Sequence, residues 1–123
     1  MGQVSVTKVF SLCYGHFLPD YEGKCINQHG HNSAVEVEFI DPGVKGYPGM
    51  VIDFSIIKRV VGEILEILDH RNLNDLAFSF ADHPTAENIV QWIAAQIQET
   101  EIGPGLIRVR MSETPTSWTE WRK

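Results

Sequence analysis

His29 and His31 stand two residues apart with only Gly30 between them, and in an extended chain that spacing turns both imidazoles to one face. Imidazole nitrogens are zinc ligands, and two on one strand face come close enough to share an ion. A third ligand is needed. His16, at the end of the preceding extended stretch, is the natural one. Three neutral imidazoles with an open fourth position are the arrangement zinc uses for catalysis, whereas structural sites usually close with cysteines. Taken alone, an H-x-H pair is as readily a solvent-exposed or core-bonded pair of histidines.

The neighbours of the pair add chemistry. Cys25 precedes His29 by four residues within the polar stretch Glu22 to Gln28, where a thiol beside Lys24 and near a cation has the setting for a lowered pKa and for work as a base or nucleophile. A buried, inert thiol is the other reading, and it is the one expected for Cys13, which lies in an apolar strand. Asp69 and His70 are adjacent after an apolar helical stretch. They form either a proton carrier oriented by a carboxylate or a cation at a helix C-terminus. Glu113 is either a surface charge or a carboxylate gripping a guanidine-like group through two hydrogen bonds.

The elements that must position these groups follow from periodicity. Val4, Val6 and the Val9-Phe10 region read as a first strand running into Cys13-Tyr14-Gly15-His16, and Ala34 to Phe39 alternates at period two as a second. Ser55 is placed to cap a helix whose stripe is Ile56, Ile57, Val60, Val61, Ile64, Leu65 and Leu68. Thr85 caps a second helix carrying Ile89, Trp92, Ile93 and Ile97, stopped by Gly103-Pro104-Gly105. Two strands end the chain, one with Ile107, Val109 and Met111 alternating with Arg108 and Arg110, the other from Ser117 to Trp121. The expected fold class is α+β, order ββααββ, with two helices on one face of an antiparallel sheet.

Composition sets the outer bounds. The 123 residues, 43% hydrophobic, fit one domain over residues 1–123. A net charge of −6 with no Lys/Arg cluster argues against nucleic acid as the partner. Two cysteines are too few for a disulfide framework, the N-terminal segment lacks a signal-peptide pattern, and no apolar run reaches the ~20 residues of a membrane span. A cytoplasmic protein with free thiols is expected.

Taken in order, Phe10-x5-His16, Cys25-x3-His29-Gly30-His31-Asn32, Val51-Ile52-Asp53-Phe54, Leu68-Asp69-His70-x-x-Leu73-Asn74, Pro84-Thr85-Ala86-Glu87-Asn88 and Glu113-Thr114 resemble the 6-pyruvoyl-tetrahydropterin synthase family over nearly the whole chain. The C-x3-H-G-H spacing looks like its 6-carboxy-tetrahydropterin synthase branch, which serves queuosine (7-deazaguanine) biosynthesis. The resemblance implies the tunnelling fold, with four antiparallel strands and two helices per subunit, three subunits closing a barrel, and two trimers forming a homohexamer. It further implies 7,8-dihydroneopterin triphosphate as substrate, bound between subunits, and release of acetaldehyde and triphosphate. On this pattern His16, His29 and His31 hold Zn2+, while Cys25, Asp69 and His70 are catalytic. Glu113 anchors the pterin, and Thr85, Ala86 and Glu87 line its pocket.

The chain departs from the family where two small residues usually precede the first zinc histidine, for here Tyr14 and Gly15 stand there. A bulky Tyr14 either narrows the pocket or faces away. No single basic cluster awaits the triphosphate, which leaves Lys24, Arg71, Arg108 and Arg110 as candidates. Rival readings are a pyruvoyl-type synthase that eliminates triphosphate without carbon-carbon cleavage, a non-catalytic pterin- or metal-binding module, and a structural zinc protein.

Overall fold

The structure, a computed structural model, describes residues 2–76 and 80–123. Its centre is an antiparallel pair, β1 (Val6–His16) and β2 (His29–Phe39), in continuous register from Val6 opposite Phe39 to His16 opposite His29. Alternation decides which side chains go inward. Leu12, Tyr14 and His16 of β1 and Ser33, Val35, Val37 and Phe39 of β2 are buried, while Ser11 and Asn32 of the intervening positions are exposed.

Helix α1 (Phe54–Glu66) places Ile57, Val60, Val61, Ile64 and Leu65 in the core, and each such side chain contributes about 2 kcal/mol by leaving water. Its cap is Asp53, not Ser55 as the sequence led us to expect. The Asp53 carboxylate accepts from the Ser55 N–H at 2.9 Å and the Ser55 hydroxyl at 2.8 Å, so Ser55 is already inside the first turn.

After α1 the chain makes a contact that periodicity does not foretell. The outer edge of β1 has an unpaired N–H and C=O at Cys13. The Asp69 carboxylate accepts from that N–H at 2.9 Å, and the His70 N–H donates to that carbonyl at 2.6 Å. His70, in the left-handed region at φ 57°, turns the chain so that β3 (Arg71–Asn72) runs parallel beside Tyr14 and Gly15. Helix α2 (Ala86–Gln98) follows, and Thr85 caps it as expected, accepting from the Asn88 N–H at 3.2 Å. Gly103 and Gly105 then turn the chain so tightly that a Cβ would stand 2.3 Å from Gln98 O and Ile40 O respectively. Strand β4 (Leu106–Thr114) pairs with β2, and β5 (Ser117–Arg122) pairs with β4.

Among the described residues the sheet therefore has five strands in the order β3-β1-β2-β4-β5 and is mixed, so the expected four-stranded antiparallel sheet in the order ββααββ is corrected to ββαβαββ. Two residues carry no readable period, and β3 exists because the β1 edge needs partners. The two helices and one sheet are as expected. Cys13 is also corrected: it is half-buried on the face opposite the core, with Sγ 2.9 Å from Asn32 Oδ1.

On that face charge is matched across strands. Arg108 binds Glu38 at 2.8 Å, Glu36 at 3.3 Å and Glu120 at 3.4 Å, and Arg110 lies 3.9 Å from the centre of the Trp118 ring. Two of the four candidate phosphate ligands are thus committed within the sheet. Ser5 and Arg108 hold the Glu38 carboxyl below its ordinary 4.5. A carboxyl depressed on folding adds stability above its unfolded value and loses it as pH falls through the folded one.

Two outcomes follow. Thr85→Ala lowers unfolding stability by about 1 kcal/mol in urea titration, and Thr85→Ser retains most of it. Arg108→Ala lowers the urea midpoint at pH 7 and reduces the further drop between pH 5 and pH 3; an unchanged acid slope would show that Arg108 contributes nothing to the depression of Glu38.

Candidate active site

The register that pairs His16 with His29 and Tyr14 with His31 brings three imidazoles together at one end of the β1–β2 pair. Their ring centres are 4.5 to 5.0 Å apart, and one ligand atom from each lies within 4.8 Å of the others. Among the described residues this is the group of at least three metal-ligand side chains that meets that bound.

Each ring is held by its Nδ1. His16 Nδ1 is 2.7 Å from Pro84 O, His29 Nδ1 is 2.7 Å from Asn27 O, and His31 Nδ1 is 3.1 Å from Glu113 O. A carbonyl only accepts, so each Nδ1 carries the proton and each Nε2 presents a lone pair. With all three rings neutral, His31 Nε2 faces His16 Nε2 at 3.1 Å as lone pair to lone pair, and the buried His29 Nε2 has no hydrogen-bond partner among the described residues. Burial, aided by the neighbouring His29 and His31, pushes His16 below the ordinary imidazole pKa, against the opposing pull of Pro84 O and Glu113. Converging neutral imidazoles suit a divalent cation, for ligand atoms about 2.0 to 2.1 Å from a tetrahedral zinc stand about 3.3 Å from one another.

Glu113, on β4, reaches the same place: its Oε1 is 3.4 Å from His31 Nε2 and 3.8 Å from His16 Nε2. Tyr14 faces inward and is buried, its ring 5.2 Å from that of His16 and 5.5 Å from that of His31. Burial, with the Glu113 charge, pushes its phenol well above the usual range, so it stays a neutral hydroxyl. Tyr14 therefore does not face away from the histidine cluster.

The remaining candidates lie outside the histidine cluster. Cys25 is half-buried in a short 3-10 turn, Lys24–Ile26, pinned by the Leu18 N–H to Cys25 O bond at 2.7 Å. It is two residues from the Asn27 carbonyl that holds His29. The pair Asp69 and His70 stands at the outer edge of β1, joined by a 2.7 Å bond from Oδ2 to Nδ1, with the imidazole 77% exposed. The Cys13 N–H, then His70, hold the Asp69 carboxyl below the ordinary range. With its Nδ1 bonded to a carboxylate, His70 offers Nε2 to solvent beside Cys13, Asn32 and Arg71. At the start of α2, Thr85 is occupied as the cap, Ala86 is buried in the core and Glu87 is exposed.

Sequence reasoning missed the carbonyls of Asn27, Pro84 and Glu113, because any residue type supplies one. It also missed the work of Asn74, whose amide accepts from the Phe17 N–H at 2.9 Å and donates to Phe17 O at 3.0 Å, fixing the chain next to His16. The Leu73-Asn74 pair was the available signal.

Metal removal reads the site directly. Protein treated with a chelator, then titrated with Zn2+, takes up about one equivalent and gains thermal stability in proportion to the logarithm of free metal over Kd. His29→Ala or His31→Ala loses that uptake; full stoichiometric binding by His29→Ala would remove His29 from the ligand set.

Comparison with known proteins agrees with the fold. Residues 5–123 match the sequence profile of the family described as 6-pyruvoyl tetrahydropterin synthase. A 6-carboxy-5,6,7,8-tetrahydropterin synthase of Synechocystis is 38% identical over 116 residues, covering 91% of this chain and 88% of that protein. One of Haemophilus influenzae with the same name is 31% identical over 139 residues, covering 96% and 98%. The solved structure of 6-pyruvoyl tetrahydropterin synthase from Caenorhabditis elegans superposes with a TM-score of 0.85 at 28% identity, covering 100% of this chain and 97% of that one. The chain belongs to the 6-pyruvoyl tetrahydropterin synthase family and is a pterin synthase in fold and in relationship.

Proposed function

We propose that the chain is a zinc-dependent 6-carboxy-5,6,7,8-tetrahydropterin synthase, a carbon-carbon lyase that converts 7,8-dihydroneopterin triphosphate to 6-carboxytetrahydropterin with release of acetaldehyde and triphosphate, in 7-deazaguanine (queuosine) biosynthesis. The observation that carries the reading is the convergence of His16, His29 and His31, one ligand atom from each within 4.8 Å of the others, with Cys25 four residues before His29. The names of the Synechocystis and Haemophilus relatives support the carboxy product over the pyruvoyl one.

Zinc held by His16, His29 and His31 supplies Lewis-acid polarisation of side-chain oxygens and so acidifies neighbouring C–H groups. Cys25 as thiolate takes a proton from the side chain. His70, its Nδ1–H held by Asp69, takes or gives a proton at Nε2 on the other side of the substrate. The Glu113 carboxylate accepts two hydrogen bonds from the 2-amino and ring N–H groups of the pterin. Thr85, Ala86 and Glu87 line the ring, chiefly through backbone. Lys24 and Arg71 are the cations left for the triphosphate.

We assign the complete site to an interface, within a homohexamer of two stacked trimers. Unpaired sheet edges support this, for β3 covers only the Tyr14–Gly15 end of β1 and β5 is terminal in the sheet. A cytoplasmic enzyme accords with a fold in which no helix among the described residues is long and apolar enough to cross a membrane.

Mass spectrometry of the products from 7,8-dihydroneopterin triphosphate decides the reaction. Acetaldehyde and the carboxypterin are expected; accumulation of pyruvoyl-tetrahydropterin without acetaldehyde overturns the assignment in favour of the pyruvoyl-type reaction. Cys25→Ala lowers turnover by at least about 100-fold while zinc content stays at the wild-type level. Unchanged turnover removes Cys25 from the mechanism.

A further inference from the structure

Glu113 touches the site twice. Its main-chain carbonyl takes the His31 Nδ1–H at 3.1 Å, and its side chain turns back so that Oε1 stands 3.4 Å from His31 Nε2 and 3.8 Å from His16 Nε2. With each Nδ1 donating to a carbonyl, both Nε2 atoms are acceptors, and a carboxylate oxygen is an acceptor too. A proton on His31 Nε2 serves either His16 or Glu113 and leaves the other lone pair unmet, so no single hydrogen bond satisfies all three. A shared cation does, and the two distances are near the spacing of about 3.3 Å between ligands on a tetrahedral zinc. The side chain is one-third exposed, so the carboxylate is free to move, whereas His16 is fully buried and fixed.

We propose that Glu113 is the fourth metal ligand of the substrate-free protein, and that it leaves the metal when a pterin ring offers it N–H donors. The first half rests on geometry alone; the second rests on the reading of Glu113 as the pterin anchor. One carboxylate then has two exclusive partners. Arrival of the ring opens the coordination position that the substrate side chain needs, and the metal meets no free position while the site is empty. The approach is from the His31 and His16 side.

Co2+ in place of the native metal reports coordination through its visible absorption. Chelator-treated wild type, Glu113→Gln and Glu113→Ala, each checked for wild-type circular dichroism, are loaded with Co2+ alone. The wild type is expected to show bands that shift in position or intensity in both variants, and Zn2+ competition is expected to give a Kd at least about tenfold weaker for Glu113→Ala. Identical bands and identical Kd values overturn the proposal. Neopterin, followed by its fluorescence, is then added to the Co2+ proteins. Movement of the wild-type bands in step with neopterin saturation, without the same movement in Glu113→Ala, supports release. Neopterin bound at saturation with wild-type bands unmoved refutes release. If neopterin binds wild type and Glu113→Ala equally, the anchor reading fails, while the metal-only spectra still judge the ligand assignment.

Discussion

Three hydrogen bonds from imidazole Nδ1 to main-chain carbonyls determine what this protein is able to bind. Each fixes a tautomer and a ring plane, and together they aim three lone pairs at one point. The carbonyls come from three parts of the chain: Asn27 from the turn before β2, Pro84 from the residue before the α2 cap, and Glu113 from the last part of β4. The ligands themselves sit on β1 and β2. A site assembled this way exists only when the sheet register, the docking of α2 and the end of β4 are all in place. Its preorganisation is a property of the whole fold, and side-chain identity at the three histidines is necessary without being sufficient.

The same strands divide the work between two faces. Inward positions of β1 run Leu12, Tyr14, His16, so the core passes into the metal site without a break. Tyr14 is the residue at the join. Its ring packs edge-on to His16, and its buried hydroxyl lies beside that of Ser33, which opposes the rise that burial and the Glu113 charge impose on the phenol. The outward face carries the Arg108 network and the Arg110–Trp118 stack, and these hold strands together without touching the metal site.

What was legible in the sequence followed from period and position. His29 and His31 share a face because two residues separate them, and the α1 stripe is buried almost as written. Strand β3 was illegible, since two residues have no period and their pairing depends on the edge that β1 exposes. The α1 cap was misplaced by two positions because Asp53 and Ser55 are both competent caps, and only the backbone geometry chooses. Cys13 shows a different failure. Once His16 is taken as inward, parity places Cys13 outward, so its face was readable from a residue three positions away, and local hydrophobicity was the weaker guide.

Asp69 and His70 bind structure and chemistry into one device. Asp69 uses Oδ1 to satisfy the Cys13 N–H and Oδ2 to hold His70 Nδ1, so a single carboxylate supplies the missing partner at the edge of β1 and orients a proton carrier. His70 gives its own N–H to Cys13 O and accepts a left-handed backbone, of the kind that persists only where surrounding contacts over-determine it. Strand β1 thus bears His16 of the histidine cluster on its inner face and holds the Asp69–His70 pair at its outer edge through Cys13. The β1–β2 pairing that sets the histidines and the Cys13 bonds that set Asp69 and His70 use opposite sides of one strand. Their relative position is fixed by that strand.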